Sequence, residues 1–269
     1  MQSHVVFQQY VLYFVVYSVC GYFAEVIYCS LLQHKLVNRG FLYGPWIPIY
    51  GFGGLVIHVA TTSMHVAAGN PVVVFFTSMA SASVIEYVGS WWMEKAFGLK
   101  LWDYSKHRFN INGRVCLLNS TLFGLGGLAL TYGGHSSAAG WVDRLSPQAL
   151  AWSSNSLLLL FTIDFVCSVY RLNKFREGLA ELQRLVEQGR ENLELLKTMD
   201  RKEVAEMVQK RFAEKAALWK GNFGRQGKLL LSKFPTMRSG SVSHLDELLE
   251  RLKAEDPLKD FKQKVLKHD

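Results

Sequence analysis

The sequence has few cysteines and no charged amino-terminal leader. Its four cysteines form neither a CxxC pair nor the spacing of zinc ligands, so they indicate small buried thiols; they are Cys20, Cys29, Cys116 and Cys167. The first ten residues contain no Lys or Arg, and the apolar run there is too long for a cleavable signal peptide. We therefore expect the first hydrophobic stretch to remain in the protein as a membrane span.

The sequence also lacks the motifs of nucleotide and metal chemistry. No Gly-x-x-x-x-Gly-Lys-Ser/Thr phosphate-binding loop occurs in the 269 residues, so any ATPase that works with this chain must be another polypeptide. His58 and His65 are separated by about 10 Å along a helix, too far for both to bind one ion, and we interpret them as packing or hydrogen-bonding residues. No metal or cofactor is predicted. No nucleic acid is expected as a partner, because no recognition fold accompanies the basic residues.

Hydrophobic residues make up 49% of the chain, with a mean hydropathy of +0.09. Residues 1–172 hold only six of the 22 acidic and nine of the 30 basic residues. Apolar segments of about the 20 residues that a crossing requires lie near 5–32, 47–66, 72–97, 115–134 and 149–170. The sequence thus predicts an all-α polytopic helix bundle, with about five spans in a membrane domain at 1–172 and a cytoplasmic helical tail.

The charges of the links predict the orientation. The links at 33–46 and 98–114 carry six of the nine Lys and Arg residues of 1–172, whereas those at 67–71 and 135–148 carry only Arg144. By the positive-inside rule, the amino terminus should lie outside the cell membrane and the carboxyl terminus in the cytoplasm.

One stretch, 38–51, interrupts the hydrophobic sequence without becoming a polar loop. Pro45 and Pro48 remove backbone donors and Gly40 and Gly44 permit unusual dihedral angles, so a continuous helix is disfavoured. The apolar residues between them would keep the backbone at the membrane, where irregular backbone must be enclosed by protein or line a cavity. We expect a broken or re-entrant segment, packed inside the bundle near one membrane face.

Three carboxyl groups fall within predicted spans, at Glu25, Glu86 and Asp164. A charged side chain in a span is costly, so such residues usually face a partner or a cavity. We interpret all three as candidates for a substrate or ion pathway. For Glu25 and Asp164, internal hydrogen bonding or ion pairing with no transport role is an equal alternative.

The two cytoplasmic links contain aromatic and hydrogen-bonding residues rather than Gly/Ser filler. We expect them to fold on the same membrane face as a structural or functional cluster, with Asp103 as the partner of Arg39; an interface belt without chemistry is the alternative. The members of the cluster are Asn38, Arg39, Gly40, Gly44, Pro45, Trp102, Asp103, Tyr104, Asn110 and Arg114.

The tail divides into two parts. Residues 173–220 continue a seam of apolar residues at alternating spacings of three and four, which predicts either a coiled coil or one amphipathic helix folded onto its own chain; the seam residues are Leu172, Phe175, Leu179, Leu182, Val186, Gly189, Leu193 and Leu196. Residues 221–269 are a basic linker that could lie on anionic lipid, followed by a short helix starting near Ser243.

Motifs at the two links resemble the ABC-transporter type IV, or CmpB-like, family of bacterial integral membrane proteins. The resemblance spans about residues 9–135 and rests on Glu25, Asn38-Arg39-Gly40-Phe41, Gly44-Pro45, Pro48-Ile49-Tyr50-Gly51, Glu86, Glu94, Trp102-Asp103-Tyr104-Ser105, Asn110, Asn112-Gly113-Arg114 and Cys116-Leu117. It implies a transport role, which composition and spacing do not by themselves establish.

Our leading hypothesis is a non-catalytic, permease-like transport subunit of unknown substrate. Because five spans are few for a complete pathway, we predict a homodimer within the lipid bilayer, helped by the apolar seam. The resemblance to an ABC-transporter family, in a chain without a phosphate-binding loop, implies a separate ATPase subunit. One alternative is a membrane enzyme acting on a lipid, using Asp103, His107, Arg108, Asn110 and Arg114 as acid/base and phosphate-binding groups. Another is a sensor or scaffold that signals through its helical tail.

Overall fold

The structure is a computed structural model that describes residues 2–34, 37–63, 70–196, 229–234 and 237–239. Six α-helices dominate it: α1 (Gln2–Gln33), α2 (Pro48–Ser63), α3 (Pro71–Phe97), α4 (Leu117–Ala129), α5 (His135–Val142) and α6 (Pro147–Leu196). A π-helical turn, Leu130–Gly134, joins α4 to α5. The strands have two residues each: β1 (Leu99–Lys100), β2 (Asn110–Ile111), β3 (Val115–Cys116) and β4 (Arg238–Ser239). The predicted all-α membrane helix bundle is confirmed.

Three helical stretches among the described residues are long and apolar enough to cross a membrane: His4–Leu31, Pro71–Phe97 and Pro147–Glu181. The described residues of all five apolar segments are mainly helical as predicted, but two of the segments differ from simple spans. Helix α2 has 16 residues, fewer than the about 20 that a crossing requires. The fourth segment continues through the π-helical turn into α5, so the predicted outer link at 135–148 is largely helical.

Three helices begin with the same local chemistry. Pro48, Pro71 and Pro147 are the first residues of α2, α3 and α6, where the missing amide proton costs nothing and the fixed φ suits a helix. Asn70 caps α3, because its side-chain oxygen accepts hydrogen bonds from the amides of the next turn. Ser146 caps α6 in the same way.

Small residues bring α1 and α2 together. A Cβ on Gly21 would lie 2.3 Å from the Tyr50 side chain, and one on Gly54 would lie 2.6 Å from the ring of Tyr17. Only glycine allows this approach. Because residue numbers rise along one helix as they fall along its neighbour, the two helices are antiparallel.

The chain separates into two compact units. The first consists of Met1–Ala96 and Lys100–Ser168 and the second of Phe97–Leu99 and Val169–Asp269. The first unit contains an apolar core cluster drawn from α1, α5 and the start of α6: Leu12, Tyr13, Tyr17, Ala138, Val142 and Leu150. It also contains an antiparallel hairpin in which Asn110 pairs with Cys116 and Ile111 with Val115.

The second unit buries the first part of the predicted apolar seam. Leu172, Phe175 and Leu179 are at most 2% exposed in the single chain, so this part of the seam is covered without a second copy. The side chains from Leu182 to the end of α6 lie outside those described, apart from Arg184, and for them a coiled coil stays a prediction.

Only residues 229–234 and 237–239 of the basic segment are described, so its contact with anionic lipid stays a prediction. Its apolar residues Leu230, Leu231 and Phe234 are at most 7% exposed, and residues 229–233 are helical. These side chains are therefore covered by protein. The helix predicted near Ser243 falls outside the described residues.

Candidate functional site

The broken segment folds back along α1. Residues 37–47 are not helical, and the amide of Ile47 donates to the carbonyl oxygen of Ser18 at 3.1 Å. Since α1 continues to Gln33, the chain must return by about 22 Å, at 1.5 Å per helical residue, to make this contact. The prediction of a re-entrant segment inside the bundle is confirmed, and α2 starts deep in the bundle because the segment ends there.

Asp164 of α6 holds this segment in place. One carboxylate oxygen accepts from the amide of Tyr43 at 2.8 Å, and the other accepts from the amide of Gly44 at 2.7 Å and the indole of Trp46 at 2.8 Å. Ser168, one turn along α6, donates to the first oxygen at 3.1 Å. We call this arrangement the Asp164 clasp. It satisfies backbone donors that the break in helical structure leaves without helical partners.

Glu25 of α1 binds the first turn of α2. Its Oε2 accepts a hydrogen bond from the Tyr50 hydroxyl at 2.6 Å, and its Oε1 accepts from the thiol of Cys29 at 3.4 Å. The stretch 38–51 thus lies beside Glu25. Tyr50 of α2 donates to the carboxylate directly, and Arg39 of the broken segment lies beside the thiol that also donates to it.

Glu86 of α3 is more enclosed, with 5% of its surface exposed. Its Oε1 accepts from the Tyr104 hydroxyl at 3.2 Å, and Asn119 of α4 donates to that hydroxyl at 2.5 Å. Burial raises the pKa of Tyr104, so its hydroxyl keeps its proton and remains a donor. The Glu86 Oε2 is buried and receives no hydrogen bond from the residues that the structure describes.

The two carboxyls belong to one neighbourhood. Glu25 lies within Coulombic range of Glu86, and the Tyr50 hydroxyl lies within range of both. We call Glu25, Tyr50, Glu86, Tyr104 and Asn119 the carboxyl cluster. Of the three carboxyls singled out in the sequence, the structure therefore brings two together and places Asp164 in the separate clasp.

An ion pair anchors the α3–α4 link to α3. The Arg114 guanidinium pairs with Glu94, donates to Ser90 at 3.3 Å and lies 5.6 Å from the centre of the Tyr87 ring. The side chains of Arg114 and Glu94 are 11% and 19% exposed. The indole of Trp102 donates to the backbone carbonyl of Arg114 at 3.0 Å. This hydrogen bond joins the first half of the link to the second half.

Within the link, the remaining polar residues hold its own turns. Asp103 accepts from the amide and hydroxyl of Ser105 at 3.2 and 2.7 Å. Asn110 donates to the carbonyl of His107 at 2.8 Å and accepts from the amide of Gly113 at 3.0 Å. Gly113 has φ +67, and a Cβ there would lie 2.4 Å from Asp103. These contacts agree with the predicted folding of this link, to which the Arg114–Glu94 ion pair contributes. The expected pairing of Arg39 with Asp103 stays a prediction.

A comparison with protein families matches residues 12–169 to the family described as Putative ABC-transporter type IV. That range is more than half of the chain. The chain belongs to this family. The family match contains the carboxyl cluster, the Asp164 clasp and the whole α3–α4 link, and it ends at Val169, the first residue of the longer segment of the second unit. No curated protein and no solved structure matches the chain.

Residues that the sequence suggested for lipid chemistry make structural contacts in this protein. Asp103 and Asn110 are used by the turns of the link and Arg114 by its ion pair, while the His107 ring packs edge-on against Tyr104. Among the described residues, no three His, Cys, Asp or Glu side chains come close enough together to hold a metal ion.

Sequence reasoning missed two features of this family member. One is Asn119, which the sequence indicates only as a polar amide side chain in the apolar start of α4. The other is a pair of stacked imidazoles, His58 and His135, with ring centres 3.7 Å apart. The hydroxyl of Tyr17 lies 2.7 Å from Nδ1 of His135. This fits the packing role suggested for His58, whereas His65 lies outside the described residues.

Proposed function

We propose that the chain is a permease-like subunit of an ABC-type transport system, with the carboxyl cluster on its pathway and the ATPase on a separate chain. The observation that carries the proposal is the convergence of Glu25 and Glu86 beside a re-entrant segment. Carboxyls inside helix bundles commonly mark ion or substrate pathways, and broken helices commonly form the sites of transporters. Family membership supports the same role.

The proposal includes a second copy of the chain. The three helices of membrane-spanning length among the described residues are few for an enclosed pathway, and two copies would double them. Since the first seam residues are already buried in one chain, any contact through the tail would use the seam beyond Leu179. The lipid bilayer is the remaining partner.

Capture of the tagged protein from native membranes should yield a complex with two copies of this chain and a second polypeptide with a phosphate-binding loop. Reconstituted in lipid bilayers, this complex should hydrolyse ATP. With Glu86→Gln we expect about a tenfold or greater loss of ATP hydrolysis at an unchanged melting temperature, because the amide keeps the shape of the carboxyl but cannot ionise. Mass photometry and phosphate release measure the two results.

Glu177→Gln is the matched control, since the Glu177 side chain is 66% exposed on α6 and its change should leave hydrolysis intact. A well-folded Glu86→Gln complex with wild-type hydrolysis would remove the carboxyl cluster from the pathway. A complex without any ATPase chain would contradict the transport role.

We also propose that the amino terminus lies outside and that the α3–α4 link is cytoplasmic, because basic residues concentrate in that link. A reporter enzyme that works only in the cytoplasm should be active when fused after Arg108. A reporter enzyme that works only outside the cell should be active when fused near Ser137. Cytoplasmic activity at Ser137 would reverse the orientation.

A further inference from the structure

The Glu86 Oε2 is the most unusual polar atom of the carboxyl cluster. It is buried, and no described residue donates a hydrogen bond to it. An ionised carboxylate oxygen enclosed without a donor or a cation carries a large desolvation cost. Something other than the described side chains must therefore compensate this oxygen.

Among the described residues, the side chains that interact with Glu86 or with its hydrogen-bond partner supply no positive charge. They are Glu25 from α1, Tyr50 from α2, Tyr104 from the α3–α4 link and Asn119 from α4. The Arg114 guanidinium is engaged by Glu94, and Arg39 lies beside Cys29. Neither of the two ion pairs found among the described residues includes Glu86.

We propose that Glu86 is a proton-binding site, with the proton on Oε2 and Oε1 left as the carbonyl oxygen that accepts from Tyr104. A proton from solvent adds to the carboxylate and gives a neutral carboxylic acid. A metal ion requires several oxygen ligands and room for itself, whereas Oε2 is closed to solvent. The proton is the cation that fits an oxygen so enclosed.

Glu25 strengthens this assignment. A second carboxylate nearby adds like-charge repulsion that one bound proton relieves, so the two carboxyls would titrate as a coupled pair. The inference rests on the proposed transport role in one respect: if the chain is a transport subunit, the proton is the coupling ion of its pathway. Proton binding itself can be measured without transport.

Infrared difference spectra between neutral and alkaline pH, recorded on the full chain in lipid bilayers, test the site. The wild type should show the carbonyl band of a buried carboxylic acid, and Glu86→Gln should lose it. Asp143→Asn, which changes an exposed carboxyl that accepts a hydrogen bond from Gln9, should keep it. Tyr104→Phe should keep the band but move it to higher frequency, because the carbonyl oxygen loses its donor.

Identical spectra for the wild type and Glu86→Gln would overturn the proposal, as would an unmoved band in Tyr104→Phe. If sodium or methylammonium raised the melting temperature only when Glu86 is present, another cation would be the occupant and the proton assignment would fall. A Glu86-dependent band beside normal ATP hydrolysis in Glu86→Gln would support the proton site and contradict only the transport role.

Discussion

Asp164→Ala is expected to destabilise the purified protein by about 2 to 4 kcal/mol, because it removes the carboxylate that holds the re-entrant segment. Hydrogen bonds to charged groups each contribute about 1.5 to 3 kcal/mol and are not additive, and the clasp contains four. The change leaves the amides of Tyr43 and Gly44 without their acceptor. Thermal melts in detergent, followed by the fluorescence of Trp46 and the other indoles, measure the loss.

Two milder changes separate the clasp from a general effect of altering α6. Ser168→Ala removes only one of the four donors and should cost about 1 kcal/mol. Asp164→Asn keeps one acceptor oxygen and should fall between the two. Equal melting temperatures for Asp164→Ala and the wild type would show that the clasp contributes nothing to stability.

Arg114→Ala is expected to cost about 3 kcal/mol, because it leaves Glu94 as a largely buried charge without its partner. It also removes the donor to Ser90 and the cation that faces the Tyr87 ring. Arg114→Lys should recover only part of this loss, since a point charge cannot reproduce the planar donor geometry of a guanidinium. Detergent melts again provide the measurement.

A double-mutant cycle tests the pairing directly. Arg114→Ala combined with Glu94→Gln should cost less than the sum of the two single changes, because the second change removes the charge that the first left unpaired. The exposed pair of Lys174 and Glu177 is the matched control, and its disruption should not change the melting temperature measurably. Strict additivity in the first cycle would mean that Arg114 and Glu94 do not depend on each other.

Much of the fold follows from local sequence patterns. Long apolar runs predict the helices, and Pro45 and Pro48 with their neighbouring glycines predict the break between α1 and α2. The pattern also indicates that Glu25 and Glu86 need partners. It cannot identify those partners, because they depend on how the antiparallel helices are aligned. The contact between Glu25 and Tyr50 exists because Gly21 allows Tyr50 to approach α1.

Other features are invisible to periodicity because they join distant parts of the chain. Asp164 lies within the apolar run of its helix, and nothing in the sequence indicates that it binds residues 43–46. In the sequence Arg114 could pair with Asp103 of its own link or with Glu94 of α3, and in the structure it pairs with Glu94 because the link returns along α3. The seam that begins at Leu172 shows the same difficulty, since an apolar stripe does not tell whether its own chain or a second copy will cover it.

The Asp164 clasp also determines an order of assembly. The contacts of Glu86 with Tyr104 and of Arg114 with Glu94 join residues 18 and 20 apart, so they can form soon after this part of the chain is synthesised. The clasp joins residues 118 to 121 apart, and the amides of Tyr43 and Gly44 must wait for α6. Because chains emerge from the amino terminus, seating of the re-entrant segment is a late event in biogenesis. A nascent chain that stops before α6 would leave this segment accessible to membrane proteases, which gives the cell a way to recognise incomplete copies.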